Sequence, residues 1–202
     1  MKILVTGGAG FIGSHLVRRL IQNRHEVTIL DNLSTGSLDH LPETGFTFWQ
    51  MDTRDIAIRK KVIFAHFDAI VHLAAQTMVD SSIRNPYFDA DENVMGTVNV
   101  LEAARISGVK RVIFASTAAA YGDKEESLLP LHENLSLTPL SFYGLTKITV
   151  EHYLSLYHTL YNLDYVVLRF ANVYGERQGD KGEGGVISIF AKRIAANKNL
   201  TI

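Results

Sequence analysis

The glycine cluster near the amino terminus constrains this chain more than any other feature. Residues 7–13 read GGAGFIG; they follow an apolar run at residues 2–6 and precede a segment with helical apolar spacing. In a strand–loop–helix unit, Gly7 allows a sharp turn, Gly10 lets the backbone approach a pyrophosphate, and Gly13 permits close packing of helix on strand. The helix N-terminus offers N–H groups and a partial positive charge to phosphates. The cluster therefore predicts a dinucleotide-binding site.

Strand-like and helix-like segments alternate along the rest of the chain. Beyond the first strand and helix, the patterns predict strands at residues 26–31, 46–50, 69–73, 111–116 and 165–170, and helices at 86–107, 142–162 and 186–197. Such alternation predicts an α/β fold, a doubly wound parallel sheet of the NAD(P)-binding Rossmann type. We expect residues 1–175 to form the NAD-binding domain. Residues 176–202, with a glycine-rich loop at 175–185 and a strand start at 201–202, would begin a substrate-binding region that is incomplete.

Composition excludes several classes of function. The chain has 202 residues and a net charge of -1, so it has no general attraction for nucleic acid or an anionic membrane. It has no cysteine, which excludes disulfides and thiolate metal sites and favours a reducing compartment. The eight histidines show no metal-ligand spacing, and no segment is apolar for long enough to span a membrane. We therefore expect a cytoplasmic protein with no metal.

A carboxylate at the end of the second predicted strand bears on the choice of cofactor. Asp31 can accept hydrogen bonds from an adenosine ribose and would repel a 2′-phosphate, so NAD is favoured over NADP. The same residue could instead cap a turn in DNLSTG. Asp52, after the third strand, could accept a bond from the adenine amino group or serve as a turn residue. Ala74 and Ala75 could let the backbone lie near the cofactor, or could simply pack closely.

Two side chains one helical turn apart suggest acid–base chemistry. Tyr143 and Lys147 are spaced i, i+4 and would share a helix face. A free tyrosine has a pKa of about 10. The lysine ammonium and the positive nicotinamide of NAD⁺ would both favour the phenolate, which could then take a proton from a hydroxyl group. Thr117 directly follows the fifth predicted strand, where it could bond the reacting oxygen or make a local turn bond to the backbone.

Several sequence segments together resemble a known family. The matching segments are TGGAGFIGSHL at 6–16, DNLSTG at 31–36, HLAAQ at 72–76, residues 85–105, FASTAAAYG at 114–122, YGLTK at 143–147, LRFANVYGERQ at 168–178 and GEGGVISIF at 182–190. The chain resembles the extended short-chain dehydrogenase/reductases, and within them the UDP-glucose 4-epimerase-like sugar-nucleotide enzymes. The resemblance covers essentially all 202 residues.

The resemblance implies an activity. Tyr143 would be the general base, Lys147 would lower its pKa and hold the nicotinamide ribose, and Thr117 would take the Ser/Thr position. The implied reaction is oxidation of a UDP-hexose at C4, rotation of the 4-keto intermediate, and reduction on its other face, as between UDP-galactose and UDP-glucose. NAD would be regenerated and stay bound.

The resemblance and the residue patterns together predict two sets of contacts. The cofactor residues are Gly7, Gly10, Phe11, Ile12, Gly13, Asp31, Asn32, Ser34, Thr35, Gly36, Asp52, Thr53, Leu73, Ala74, Ala75, Asn93, Ala115, Tyr143, Lys147 and Phe170. The substrate residues are Gln76, Thr117, Tyr143, Asn172, Gly185 and Val186, within or near a matching segment that begins at Gly184. By the same resemblance, helices near 86–107 and 142–162 form a dimer bundle in relatives, so we expect a homodimer.

Departures from the family pattern reduce the number of reactions that the resemblance allows, but they leave more than one function open. Sugar 4,6-dehydratases carry Asp-Glu where this chain has Ala118-Ala119, which favours epimerisation or a simple 4-keto reduction. Ala120, Phe142 and Glu176 replace a usual Val, Pro and Pro. The family continues past residue 202 into a segment with a diphosphate-binding arginine and a C-terminal lobe, so the chain looks truncated. The alternatives are an NAD-binding homologue without turnover and an NAD(P)H-dependent sugar-nucleotide reductase.

Overall fold

Six parallel strands form one sheet in the part of the chain that the structure describes. A computed structural model of the chain describes residues 1–179 and 185–200. The strands are β1 (Lys2–Thr6), β2 (Glu26–Asp31), β3 (Phe46–Gln50), β4 (Ala69–His72), β5 (Arg111–Thr117) and β6 (Asp164–Phe170). Their order in the sheet is β3-β2-β1-β4-β5-β6, and every neighbouring pair is parallel. This is the doubly wound Rossmann order, so the predicted fold class is confirmed.

Helices lie in the connections between the parallel strands, except between β2 and β3, where the connection contains a short 3-10 turn at Leu38–His40. They are α1 (Phe11–Gln22), α2 (Ala57–Ala65), α3 (Val79–Arg84), α4 (Pro86–Ala90), α5 (Gly96–Ser107), α6 (Phe142–Tyr161) and α7 (Val186–Ala195). The ends of α6 follow from its flanking residues. Ser141 accepts the N–H of Gly144 at 3.1 Å through its hydroxyl, and Asn162 closes the helix with a φ of 57°. The sequence patterns had not predicted α2 or α3.

The single helix predicted over residues 86–107 is interrupted. A π-helical turn at Asp91–Met95 separates α4 from α5. The hydroxyl of Thr97 donates to the carbonyl oxygen of Asn93 at 2.5 Å, so it competes for the carbonyl that a regular helix would use for its own backbone bond. Apolar periodicity does not register this competition, and π-helical turns of this kind occur often at functional sites.

Two buried apolar clusters cover the two faces of the sheet. One face packs against α2, α5 and α6 and includes Leu4, Ile58, Ile70, Leu101, Phe114, Val150 and Leu154. The other face packs against α1 and includes Ile3, Val5, Val17, Val27 and Ile29. Because each central strand is covered on both sides, its apolar residues run nearly without interruption. Within the described residues, no helix is long and apolar enough to cross a membrane.

The strand ends define where a ligand can bind. Thr6 pairs with both Leu30 and His72, and Thr117 pairs with Phe170, so the carboxyl ends of five strands meet along one edge of the sheet. In open parallel sheets, ligands bind at this edge, where the strand order reverses between β1 and β4. The predicted strand start at 201–202 and residues 180–184 of the glycine-rich loop lie outside the described residues.

Candidate active site

A cavity of about 480 Å³ lies along the carboxyl edge of the sheet. Its wall includes most of the predicted cofactor and substrate residues. Those on the wall are Gly7, Gly10, Phe11, Ile12, Gly13, Asp31, Asn32, Ser34, Thr35, Thr53, Leu73, Ala74, Ala75, Ala115, Thr117, Tyr143, Lys147, Phe170, Asn172 and Gly185. Residues that are distant in sequence therefore converge on one site.

The glycine loop has a geometry that side chains would block. Gly7 has a φ of 69°, and a Cβ atom there would lie 2.6 Å from the backbone nitrogen of Ala74. A Cβ atom on Gly13 would lie 2.1 Å from the carbonyl oxygen of Gly7. Gly10 precedes α1 and provides no side-chain cap, so the N-terminus of that helix faces the cavity with backbone donors alone. This donor set fits a pyrophosphate.

Asp31 lines the cavity and also bonds the backbone of the glycine loop. Its carboxylate accepts the N–H of Ala9 at 2.9 Å and the N–H of Leu33 at 2.8 Å. Burial raises the pKa of Asp31, whereas these two backbone bonds lower it. The bond to Ala9 ties the second strand to the glycine loop, so a structural role and a ribose-binding role are compatible at this position.

The end of the cavity near Asn32 carries an ionic cluster. The carboxylate of Asp52 accepts from Asn32 at 2.9 Å and from the guanidinium of Arg54 at 2.8 Å. Arg54 also pairs with Asp91 at 2.8 Å and with Glu92 at 2.7 Å. Its hydrogen bonds hold the pKa of Asp52 well below the usual range. Asp52 is not on the cavity wall, but Asn32 and Glu92 are, so the cluster supports that wall from behind.

The three predicted catalytic residues lie on one wall. Tyr143 and Lys147 are on α6, and Thr117 ends β5. Helix α6 comes close to the turn after β5 at Gly144, where a Cβ atom would lie 2.9 Å from the carbonyl oxygen of Ala119. The Thr117 hydroxyl accepts the N–H of Ala119 at 3.1 Å, which is the local bond that the alternative interpretation expected. That bond uses only a lone pair, so the hydroxyl can still donate its proton.

Lys147 carries a buried positive charge. Its side chain is 3% exposed, and its ammonium donates to the carbonyl oxygen of Ala115 at 3.0 Å. The ammonium lies 4.9 Å from the ring centre of Phe114 and 5.8 Å from that of Tyr143. Burial lowers the pKa of Lys147 from 10.5 to about 8, and the charge of Asp89 opposes this change. At neutral pH the ammonium form therefore predominates beside the tyrosine.

Five predicted site residues do not reach the cavity wall. These are Gly36, Asp52, Gln76, Asn93 and Val186. Asn93 is 2% exposed, and its amide bonds Gln76, Asp89 and Thr146. The side-chain amide of Gln76 is engaged in the same way, with Asp89 and with the backbone of Met78. Both residues support the site through a buried network. Gly184 lies outside the described residues.

The sequence patterns missed several residues on the wall. They are Leu30, Met51, Thr77, Val79, Glu92, Ser116, Ala118, Ala119, Ala171, Val173 and Gln178. Those flanking Thr117 and Phe170 could have been found from the rule that strand ends form the site. Glu92 sits within a helical segment, and no sequence signal places it near the cofactor loop. The side-chain amide of Gln178 donates to the carbonyl oxygen of Val173 at 3.2 Å. This bond holds together the loop after β6, which lies on the cavity wall.

Comparisons with known proteins agree with this geometry. Residues 3–202 match the NAD dependent epimerase/dehydratase family. The chain is 47% identical over 199 residues to a protein of Methanocaldococcus jannaschii. The matched stretch covers 98% of this chain and 64% of that protein. The chain is also 40% identical over 207 residues to the UDP-glucose 4-epimerase of Mycolicibacterium smegmatis. The matched stretch covers 100% of this chain and 66% of that relative.

Solved structures give the same picture. The UDP-glucose 4-epimerase of Thermotoga maritima, with UDP-glucose, superimposes with a TM-score of 0.95 at 41% identity. That of Thermus thermophilus, in complex with NAD, superimposes with a TM-score of 0.94 at 42% identity. Each match covers 100% of this chain and 65% of the other. This chain therefore spans about two thirds of the length of the proteins that it resembles.

Proposed function

Because this chain belongs to the NAD dependent epimerase/dehydratase family, we propose that it inverts the C4 hydroxyl of a UDP-hexose, of the UDP-galactose/UDP-glucose type. The cofactor is NAD, and the relatives named above include UDP-glucose 4-epimerases with UDP-glucose and with NAD. The observation that carries the proposal is a single cavity whose wall joins the glycine loop and Asp31 at one end to Thr117, Tyr143 and Lys147 at the other.

The chain's own residues divide the chemistry among them. The phenolate oxygen of Tyr143 takes the proton of the C4 hydroxyl, and the resulting Tyr143 hydroxyl returns it after the sugar has rotated. The Lys147 ammonium stabilises the phenolate form of that tyrosine and binds the nicotinamide ribose. Thr117 donates a hydrogen bond to the reacting oxygen. Bound NAD supplies the two-electron oxidation at C4 and the reduction that follows it.

The wall beside Thr117 supports epimerisation over elimination. Ala118 and Ala119 line the cavity where a dehydratase would need an additional acid and base. Methyl groups can neither give nor take a proton, so these two positions supply neither the acid nor the base that elimination would need. Asn172 and Gly185 lie on the same cavity and are our candidates for binding the nucleotide sugar.

An apolar stripe on α6 supports the proposed homodimer. Leu145, Tyr153, Leu156 and Leu160 are 49%, 37%, 55% and 65% exposed, and their spacing places them on one face of the helix. Exposed apolar stripes of this kind mark surfaces that pair with another helix. We propose that α5 and α6 of two copies pack together through this stripe. A cytoplasmic location stays a prediction.

The second candidate function is a chain that binds NAD without turnover. The chain spans 64% and 66% of the two relatives named above, so the activity of those whole proteins is a proposal for this chain. Binding energy from remote parts of a substrate positions its reacting centre, so turnover by these 202 residues has to be measured directly.

One experiment separates these candidates. The purified 202-residue chain is incubated with NAD⁺ and UDP-galactose, and UDP-glucose is measured together with bound NAD. We expect conversion that is lost in Tyr143→Phe while NAD remains bound. Tyr87→Phe is the matched control, because Tyr87 is 82% exposed on α4 and away from the cavity.

Each outcome has a distinct meaning. Unchanged turnover in Tyr143→Phe would remove this tyrosine from the mechanism. Bound NAD without conversion in the wild type would favour the second candidate. Failure to bind NAD would contradict both.

A further inference from the structure

A buried acid lies behind the catalytic wall and takes no part in the chemistry proposed above. Asp89 on α4 is 0% exposed. Its carboxylate accepts from the amide of Gln76 at 2.6 Å, from the hydroxyl of Thr146 at 3.0 Å and from the amide of Asn93 at 3.2 Å. All three partners are neutral donors. Burial raises the pKa of Asp89, whereas the bonds from Gln76 and Thr146 and the charge of Lys147 lower it and favour the carboxylate.

The nearby buried cation lacks a contact ion pair. Among the described residues, no carboxylate lies within 4.0 Å of the Lys147 ammonium, which bonds only a neutral carbonyl in the contacts given above. An uncompensated buried charge is costly, and an opposite charge nearby offsets that cost. Lys147 and Asp89 influence each other in this way: each charge favours the ionised form of the other.

We propose that Asp89 is a positioning residue that acts through Lys147: its carboxylate is the counter-charge that keeps this lysine an ammonium. This inference rests on the role of Lys147 in the proposed function. Asp89 does not line the cavity, so it does not touch substrate or cofactor. Its bond to Thr146, the residue before Lys147, anchors the same turn of α6. The Thr146 hydroxyl also lies 2.9 Å from the carbonyl oxygen of Tyr143.

The other titratable groups around Lys147 cannot replace this charge. Among the described residues, Tyr143 on the same helix and His72 on β4 interact with Lys147. The Glu151 carboxylate, one turn further along α6, bonds Ser116 and is paired with the Arg169 guanidinium. His72 is 1% exposed and lies between the hydroxyls of Thr6, at 2.6 Å, and Thr97, at 2.9 Å. Burial, together with the charge of Lys147, lowers the pKa of His72 to about 3, so this ring is neutral during catalysis. Asp89 is therefore the source of negative charge in this group.

The first test measures the ionisation of Lys147 directly. Lysines labelled with ¹³C and ¹⁵N are titrated by NMR in the wild-type chain and in Asp89→Asn, with the same excess of NAD⁺, and Lys147→Arg assigns the signal. We expect the pKa of Lys147 to fall by about one pH unit in Asp89→Asn. Asp80→Asn, which removes an exposed carboxylate on α3, should leave it unchanged. An unaltered Lys147 titration in folded Asp89→Asn would overturn the proposal.

A reciprocal test covers the case in which Asp89→Asn does not fold, since its amide would face neighbouring donors. The carboxyl carbon of Asp89 is titrated in the wild type and in Lys147→Met. Coupling between two charges is reciprocal, so we expect a higher pKa for Asp89 in Lys147→Met. An equal pKa in both proteins overturns the proposal. Neither measurement depends on turnover, so a chain that fails to epimerise UDP-galactose still tests this inference independently.

Discussion

Lys147→Met should make folding less sensitive to alkaline pH, because it removes a buried ammonium. Burial lowers the pKa of Lys147 from 10.5 to about 8. Each unit of pKa corresponds to about 1.4 kcal/mol, so keeping the charge inside the folded protein costs about 3 kcal/mol at pH 7. Between pH 8 and 10.5 the unfolded chain binds the proton and the folded chain does not. The wild type therefore gains stability relative to Lys147→Met as pH rises through this window.

The gain can be measured well below the upper end of the window. The linkage relation gives about 2 kcal/mol between about pH 7 and about pH 9.5. Urea unfolding of both proteins at these two pH values supplies the difference in unfolding free energy. Lys60→Met, which removes an exposed lysine on α2, controls for the general effect of pH. A difference between wild type and Lys147→Met that is the same at both pH values would refute the reasoning, since it would mean that the folded state does not bury an ammonium.

Three further changes test other parts of the site. Asp31→Ala should weaken the preference for NAD over NADP and cost about 1–3 kcal/mol of stability, because the N–H of Ala9 loses its acceptor; an unchanged ratio of the two dissociation constants would contradict the ribose assignment. Gly13→Ala should abolish NAD binding in isothermal titration, because its Cβ would lie 2.1 Å from the carbonyl oxygen of Gly7; wild-type affinity would show that the loop relaxes at little cost. Leu156→Glu should yield monomers in analytical ultracentrifugation with an unchanged far-ultraviolet spectrum, whereas a persisting dimer would place the interface elsewhere.

Local sequence determined most of the fold. The bounds of β2 and β3 agree with the apolar runs, and α6 begins at the predicted residue Phe142. These elements were predictable because each depends on neighbours in sequence: apolar spacing, a serine cap and an asparagine that ends the helix. The glycine loop was predictable for the same reason, since a strand, a turn and a helix N-terminus are contiguous in the chain.

The sequence by itself predicted only part of the catalytic group. Tyr143 and Lys147 are linked by helical spacing, but Thr117 is far from them in the chain. Chance pairs of tyrosine and lysine are common, so the position of Thr117 at a strand end gave this pair its value, and the family resemblance then assigned the three roles. The close approach of Gly144 to Ala119 explains in physical terms why they share one wall.

Tertiary structure alone decided which polar residues face the cavity and which support it from behind. Asn93 and Gln76 were expected on the wall, yet both side-chain amides donate to Asp89, and the Asn93 amide also bonds the backbone N–H and carbonyl oxygen of Gln76. Asp89 itself gave no sequence signal, because an isolated acid on a short helix is ordinarily exposed to solvent. Its burial, its three neutral donors and its charge coupling to Lys147 arise only when α4 packs against α6. Short-range patterns encode the elements of this protein, whereas the ionisation of its site depends on contacts between residues that only folding brings together.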